Sequence, residues 1–250
     1  MRMTVVSSCS AGNCYVLQGR YSALIIECGV APERVMKAVP GLRWSTVAGC
    51  LVTHEHGDHA GYMERFMKLG LDVYASAGTF QVKNLVASRR AKKLESMKPK
   101  VVGEFYIWPF GVNHDAREPM GFIIEHRECG KILFVTDTRF VSYNFRSQKV
   151  DHIMVEANYD DSIVDARVQE GDIVLSQAAR IKGAHMSIRH TCEFLRANET
   201  GNLKTVTLLH LSSDNANAER FKTLADDSVI FAKVNVARPG LVVEMNKNEF

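Results

Sequence analysis

Hydrophobic positions open the chain as short apolar runs broken by turn residues. Residues 3–7, 14–17 and 23–28 are separated by Ser10-Ala11-Gly12-Asn13 and Gln18-Gly19-Arg20, which reads as strands joined by tight turns. After Pro32, residues 33–39 carry helical spacing, and proline suits a first helical turn. The pattern then predicts a strand over 47–53, a helix over 60–69, a brief strand at 73–75 and a helix over 79–93. Strands follow at 105–112, 120–125, 131–136 and 151–156. Helices are predicted near 163–180, 187–198 and 215–226, with a strand at 204–210 and a final strand pair ending near Glu244. No Pro/Gly/Ser linker divides the chain. Strands and helices alternate in two blocks, so the expectation is one α/β domain over 1–250, two sheets packed together with helices outside.

Composition narrows this little. The 250 residues are 46% hydrophobic and 24% charged, as in ordinary globular proteins that bury a sizeable core. A net charge of +3 does not by itself imply a nucleic-acid partner. The six cysteines form no CxxC pair, and several lie in apolar runs where a free thiol acts as a small hydrophobe. No run approaches the ~20 apolar residues of a membrane span, and no secretory signal is visible. A reduced, cytoplasmic setting away from membranes is therefore the expectation.

The chemistry concentrates in His54-Glu55-His56-Gly57-Asp58-His59. Three imidazoles and an aspartate between a predicted strand and a predicted helix supply the nitrogen and oxygen ligands that suit zinc or a similar divalent ion. His114, Asp137 and His210 each follow a predicted strand, the end where layered α/β folds gather their chemistry. Singly, such residues are turn formers or core histidines. Together with 54–59 they are enough to hold two metals bridged by a carboxylate.

These motifs resemble the metallo-β-lactamase superfamily, whose HxHxDH signature stands here as residues 54–59. Within it the chain is most similar to YycJ/WalJ-type proteins. The likeness runs through Gly12-Asn13, Asn113-His114-Asp115-Ala116, Val135-Thr136-Asp137-Thr138, Glu156-Ala157-Asn158, Ala184-His185-Met186-Ser187 and His210-Leu211-Ser212-Ser213. The resemblance implies a four-layer αββα sandwich with a dinuclear site at one edge. His54, His56 and His114 would hold one metal, Asp58, His59 and His210 the second, and Asp137 would bridge them. Zinc is the expected ion, manganese the alternative. Glu27 stands where the family carries the aspartate of Asp-x-Gly, and would orient a ligand histidine from behind. Tyr159 stands where a histidine is expected.

The resemblance implies a 5′–3′ exonuclease acting on DNA, or a related phosphodiesterase. Two metals would polarise the phosphoryl group and activate a bridging hydroxide, with Asp58 orienting it. His185-Met186-Ser187-Ile188-Arg189 also resembles the corresponding part of tRNA 3′-processing enzymes of the superfamily. His185 is thus the candidate general acid, with a helix-cap role as its alternative. Asn13, Ser187 and Arg189 are candidate substrate contacts, as are Arg89, Arg90, Lys92 and Lys93 in a basic stretch that reads equally as a solvated helix face. DNA is the expected partner ahead of RNA. A small or cyclic nucleotide substrate, a non-catalytic nucleic-acid-binding module and a homodimer remain open.

Overall fold

In a computed structural model that describes residues 1–247, the strands make two seven-stranded sheets. The chain divides into two compact units. The first comprises Met1–Gly111, Ala116–Ile132 and the stretch from Ala237 onward; the second comprises Val112–Asp115 and Leu133–Val236.

The first unit holds β1 (Arg2–Cys9), β2 (Gly12–Gln18), β3 (Ala23–Ile26), β4 (Val47–Leu51), β5 (Val73–Ser76), β6 (Ala91–Leu94) and β14 (Val242–Glu244), in the order β14-β1-β2-β3-β4-β5-β6. Pairing is antiparallel from β14 to β3 and parallel from β3 to β6. The carboxyl ends of the parallel strands therefore share one edge. On one face pack α1 (Pro32–Ala38), α3 (Met63–Lys68) and α4 (Ala77–Val82), through Val35, Met63, Phe66 and Phe80. Pro32 starts α1, and the Ser76 hydroxyl caps α4 by accepting from Thr79 N–H. The unit also carries an antiparallel ladder of β7 (Lys100–Val102), β8 (Phe105–Gly111) and β9 (Met120–His126).

The second unit is built on β11 (His152–Glu156), β12 (Thr205–Leu209) and β13 (Lys233–Val236), all parallel. Every residue of β11 and β12 is buried, as expected for parallel strands covered on both faces. Its helices are α5 (Asp161–Gln169), α6 (Leu175–Ala184), α7 (Ile188–Asn198) and α8 (Ala218–Asp226). Helix α7 buries Ile188, Thr191, Cys192, Leu195 and Asn198, a stripe at helical spacing.

Three expectations are corrected. The helix over 79–93 ends at Val82, and Lys92 and Lys93 fall in β6. That strand lies at a sheet edge, where lysines discourage pairing with a further strand. The helix near 163–180 is two helices, α5 and α6, broken at Gly171, whose φ of +81° is readily adopted only by glycine. The last two strands do not pair with each other: β14 joins β1 and β13 joins β12.

Candidate metal centre

In the first unit, β4 ends at Leu51 and the chain passes through Thr53 into the histidine loop and α2 (Gly57–Ala60). Thr53 Oγ1 lies 2.9 Å from His54 Nδ1 and donates to Glu27 Oε1 at 2.6 Å. Glu27 is fully buried, and the same Oε1 lies 3.3 Å from His59 Nδ1. Polar contacts of this kind orient a metal-ligating imidazole and set its tautomer. The His54 ring centroid lies 4.6 Å from that of His56 and 4.3 Å from that of His59. Asn13 Nδ2 donates to Asp58 Oδ2 at 3.3 Å and sits 3.1 Å from His59 Nε2. Gly29 makes this approach feasible, because a Cβ there would lie 1.7 Å from the Asp58 carbonyl oxygen. His54, His56, Asp58 and His59 are thus one cluster, set by Glu27, Thr53 and Asn13.

In the second unit, Asp137, Glu156 and His210 stand at the carboxyl ends of consecutive strands, Asp137 two residues after β10 (Gly130–Val135), Glu156 as the last residue of β11 and His210 directly after β12. Asp137 and His210 have φ of +42° and +53°, and Glu27 in the first unit has +66°. Left-handed backbone at glutamate or histidine carries strain of the sort held at functional sites. His210 Nδ1 lies 2.9 Å from Asp137 Oδ1 and 3.2 Å from Glu156 Oε1, and His185 Nδ1 lies 2.7 Å from Glu156 Oε1. Donor atoms of Asp137, Glu156, His185 and His210 all fall within 4.8 Å of one another. His114 joins them with Nε2 3.8 Å from Asp137 Oδ2, while its Nδ1 lies 2.9 Å from the Ala184 carbonyl oxygen.

Charge in this second cluster is finely opposed. Burial works against ionising Glu156, yet His185 and hydrogen bonds from His185 and His210 hold its carboxyl below the usual range. Burial also works against the His185 cation, but the Glu156 carboxylate outweighs it and the His185 pKa is raised. For His114, burial prevails over Asp137 and lowers the pKa, favouring the neutral ring that binds metals.

A family model described as "Beta-lactamase superfamily domain" matches residues 25–210. The exodeoxyribonuclease YycJ of Bacillus anthracis is 30% identical over 223 residues, covering 75% of this chain and 83% of that protein. The chain belongs to the metallo-β-lactamase superfamily. Within it, the chain is of the YycJ/WalJ type: the exodeoxyribonuclease WalJ of Streptococcus pneumoniae D39 is 27% identical over 86% of this chain and 82% of its own length. Among solved structures, the metallo-β-lactamase fold protein YhfI of Bacillus subtilis superposes with a TM-score of 0.74 at 17% identity, over 97% of this chain and 98% of that one. The two sheets with their helices are the α/β fold of this superfamily, and the protein is a metallo-β-lactamase-fold hydrolase.

The donor chemistry of both clusters, imidazole nitrogen with carboxylate oxygen, fits divalent metal ions. Sequence reasoning matched Glu156 only as part of a motif and missed that it anchors two histidines. Its place at the end of an apolar strand was the available signal. Other candidates take structural partners. Ser187 is fully buried, and its hydroxyl caps α7 by accepting from His190 N–H. Asn13 is fully buried against Asp58 and His59. Tyr159 packs with Val164, Ile173 and Ala178, and burial pushes its phenol up to about 12. Arg189 is exposed, with Nη1 bonded to Glu193 and Nη2 2.9 Å from His190 Nε2.

The basic stretch lies elsewhere in its unit. Arg90 and Lys92 both reach Asp72, at 3.0 and 3.7 Å. Asp72 and Arg90 immediately precede β5 and β6. They therefore sit at the amino edge of the parallel strands, opposite the edge from which the 54–59 loop leaves β4. Arg89 shares that edge, and Lys93 lies within β6.

Proposed function

We propose that this hydrolase cleaves phosphodiester bonds at the ends of nucleic acid, DNA in preference to RNA, using two divalent ions. His54, His56 and His114 would hold one ion, and Asp58, His59 and His210 the other, with Asp137 shared. Zinc is the proposed ion and manganese the alternative. Bound there, the ions supply Lewis acidity and water activated at neutral pH.

The chain's own residues supply the rest. Asp58 orients the attacking water. His185 donates a proton to the leaving oxygen through Nε2, because its Nδ1 is engaged by Glu156 at 2.7 Å. That contact is the observation that carries the reading: a buried carboxylate fixes one ring nitrogen, so the other is presented in a defined direction. Relatives named as exodeoxyribonucleases support DNA as the polymer.

The test is a metal-supplemented hydrolysis screen on end-labelled single- and double-stranded DNA, RNA and cyclic nucleotides. Mononucleotides released progressively from a DNA end are expected. Hydrolysis of cyclic nucleotides alone would replace the nuclease reading with a small-nucleotide phosphodiesterase. No hydrolysis with any divalent ion would leave a binding module.

A further inference from the structure

We propose that a cavity beside His185 in the second unit is a stacking pocket for one unpaired nucleobase, a proposal that rests on the nuclease reading above and specifies how a strand end is gripped. The cavity has a volume of about 350 Å³, within the range of small-ligand pockets. Its walls come from the loop through Phe140, Tyr143 and Asn144 and from α7 through His190, Glu193 and Phe194, with Met186 between them. Met186 directly follows His185, and Phe140 lies three residues after Asp137. Both walls are thus tethered by the chain to the catalytic cluster.

The chemistry of the lining points to a base. Phe140 and Tyr143 are 45% and 41% exposed although they are large aromatics, and solvent-facing aromatic rings are the platforms on which unpaired bases stack. Behind them an aromatic row continues inward. The Tyr143 and Phe145 centroids lie 6.1 Å apart, and Phe145 meets Phe194 edge-on at 6.4 Å. The loop is fastened to the helix before any ligand arrives. Phe145 N–H donates to Asn198 Oδ1, and Asn144 Nδ2 donates to the Ala197 carbonyl at 3.5 Å. Such preorganisation lowers the cost of binding. The polar rim of Ser142, His190 and Glu193 offers hydrogen-bonding groups to a base edge. Arg189, bonded to Glu193 at 3.0 Å, adds an exposed guanidinium beside that rim for the adjoining phosphate.

The pocket accepts any base, since stacking is indifferent to sequence. It requires the base to be unpaired, so an end must fray by a nucleotide before it is held.

The test uses the metal-loaded full chain and phosphorothioate-linked oligonucleotides carrying 2-aminopurine at one end or at an internal position. Quenching is expected for 2-aminopurine at one terminus and not at the internal position. Phe140→Ala and Tyr143→Ala are expected to weaken binding by about 5- to 150-fold and to abolish the quenching, with Tyr143→Phe restoring both. An oligonucleotide abasic at that terminus should bind all variants alike. Unaltered melting temperatures establish that each variant is folded. Equal losses on base-bearing and abasic ends, or no terminal quenching, would overturn the pocket. If DNA is still cleaved in that case, the nuclease reading survives. If the quenching is seen but no DNA is cleaved, the pocket stands and the nuclease reading falls.

Discussion

Glu156 Oε1 lies 2.7 Å from His185 Nδ1 and 3.2 Å from His210 Nδ1, so one buried carboxylate oxygen positions a proposed proton donor and a proposed metal ligand together. Its second oxygen accepts from Thr138 N–H at 3.0 Å and Met186 N–H at 3.1 Å. With four partners the carboxylate has little freedom to turn, and its position is transmitted to both rings. Replacing it by an amide removes the charge and turns one end of the group into a donor facing backbone N–H. Glu156→Gln is therefore expected to lower metal affinity or turnover by about 10–100-fold, checked by metal content alongside hydrolysis rates.

In the proposed mechanism His185 acts on the leaving group alone. His185→Ala is expected to retain bound metal while slowing DNA hydrolysis by roughly 10²–10⁴-fold. On a nitrophenyl diester, whose leaving group needs little protonation, the loss should be much smaller. Equal losses on the two substrates would remove His185 from proton donation.

The two clusters were legible because histidine and aspartate were dense at 54–59 and isolated at strand ends elsewhere, where an apolar strand leaves few other polar groups. Glu156 was harder to read, since one carboxylate closing a strand looks like a turn former until its partners are known. Strands at 3–7, 14–17 and 23–28 were read to within two residues at each end, because apolar runs between glycine turns admit few alternatives, although Gly12 and Asn13, read as turn, open β2. The basic stretch was misread as helix, because lysine has good helix propensity and nothing local signals that 91–94 borders a sheet. Gly171 was a visible break between α5 and α6 that the apolar spacing on either side obscured.

His126 provides a pH dependence separate from the metal clusters. Burial lowers its pKa against the opposing pull of Glu128 and Glu104, and its ring lies 4.7 Å from that of Phe105. A histidine with a depressed folded pKa favours folding most above its unfolded value of about 6.5. That contribution is lost as pH falls through the folded value. The thermal midpoint is expected to drop between pH 7.5 and 5.5, and His126→Phe should flatten the dependence. An identical pH profile in the variant would assign the drop to other groups.

Arg90 and Lys92 are engaged by Asp72 at the amino edge of the parallel strands, remote from the 54–59 loop. Neutralising them is expected to leave the salt dependence of DNA binding unchanged. Arg189→Ala should lower the log–log slope by about 0.9 on duplex DNA or 0.7 on single strands. The reverse pattern would place the phosphate track on the β6 edge.

Metal requirement is the most direct measure of the proposed chemistry. Chain stripped by chelation would be titrated with zinc or manganese while hydrolysis of an end-labelled DNA strand is followed. Activity is expected to be absent without metal and to saturate at two ions per chain, with Asp137→Ala folded, depleted of metal and inactive. Hydrolysis that persists in the stripped protein, or that Asp137→Ala leaves intact, would contradict a dinuclear phosphodiesterase.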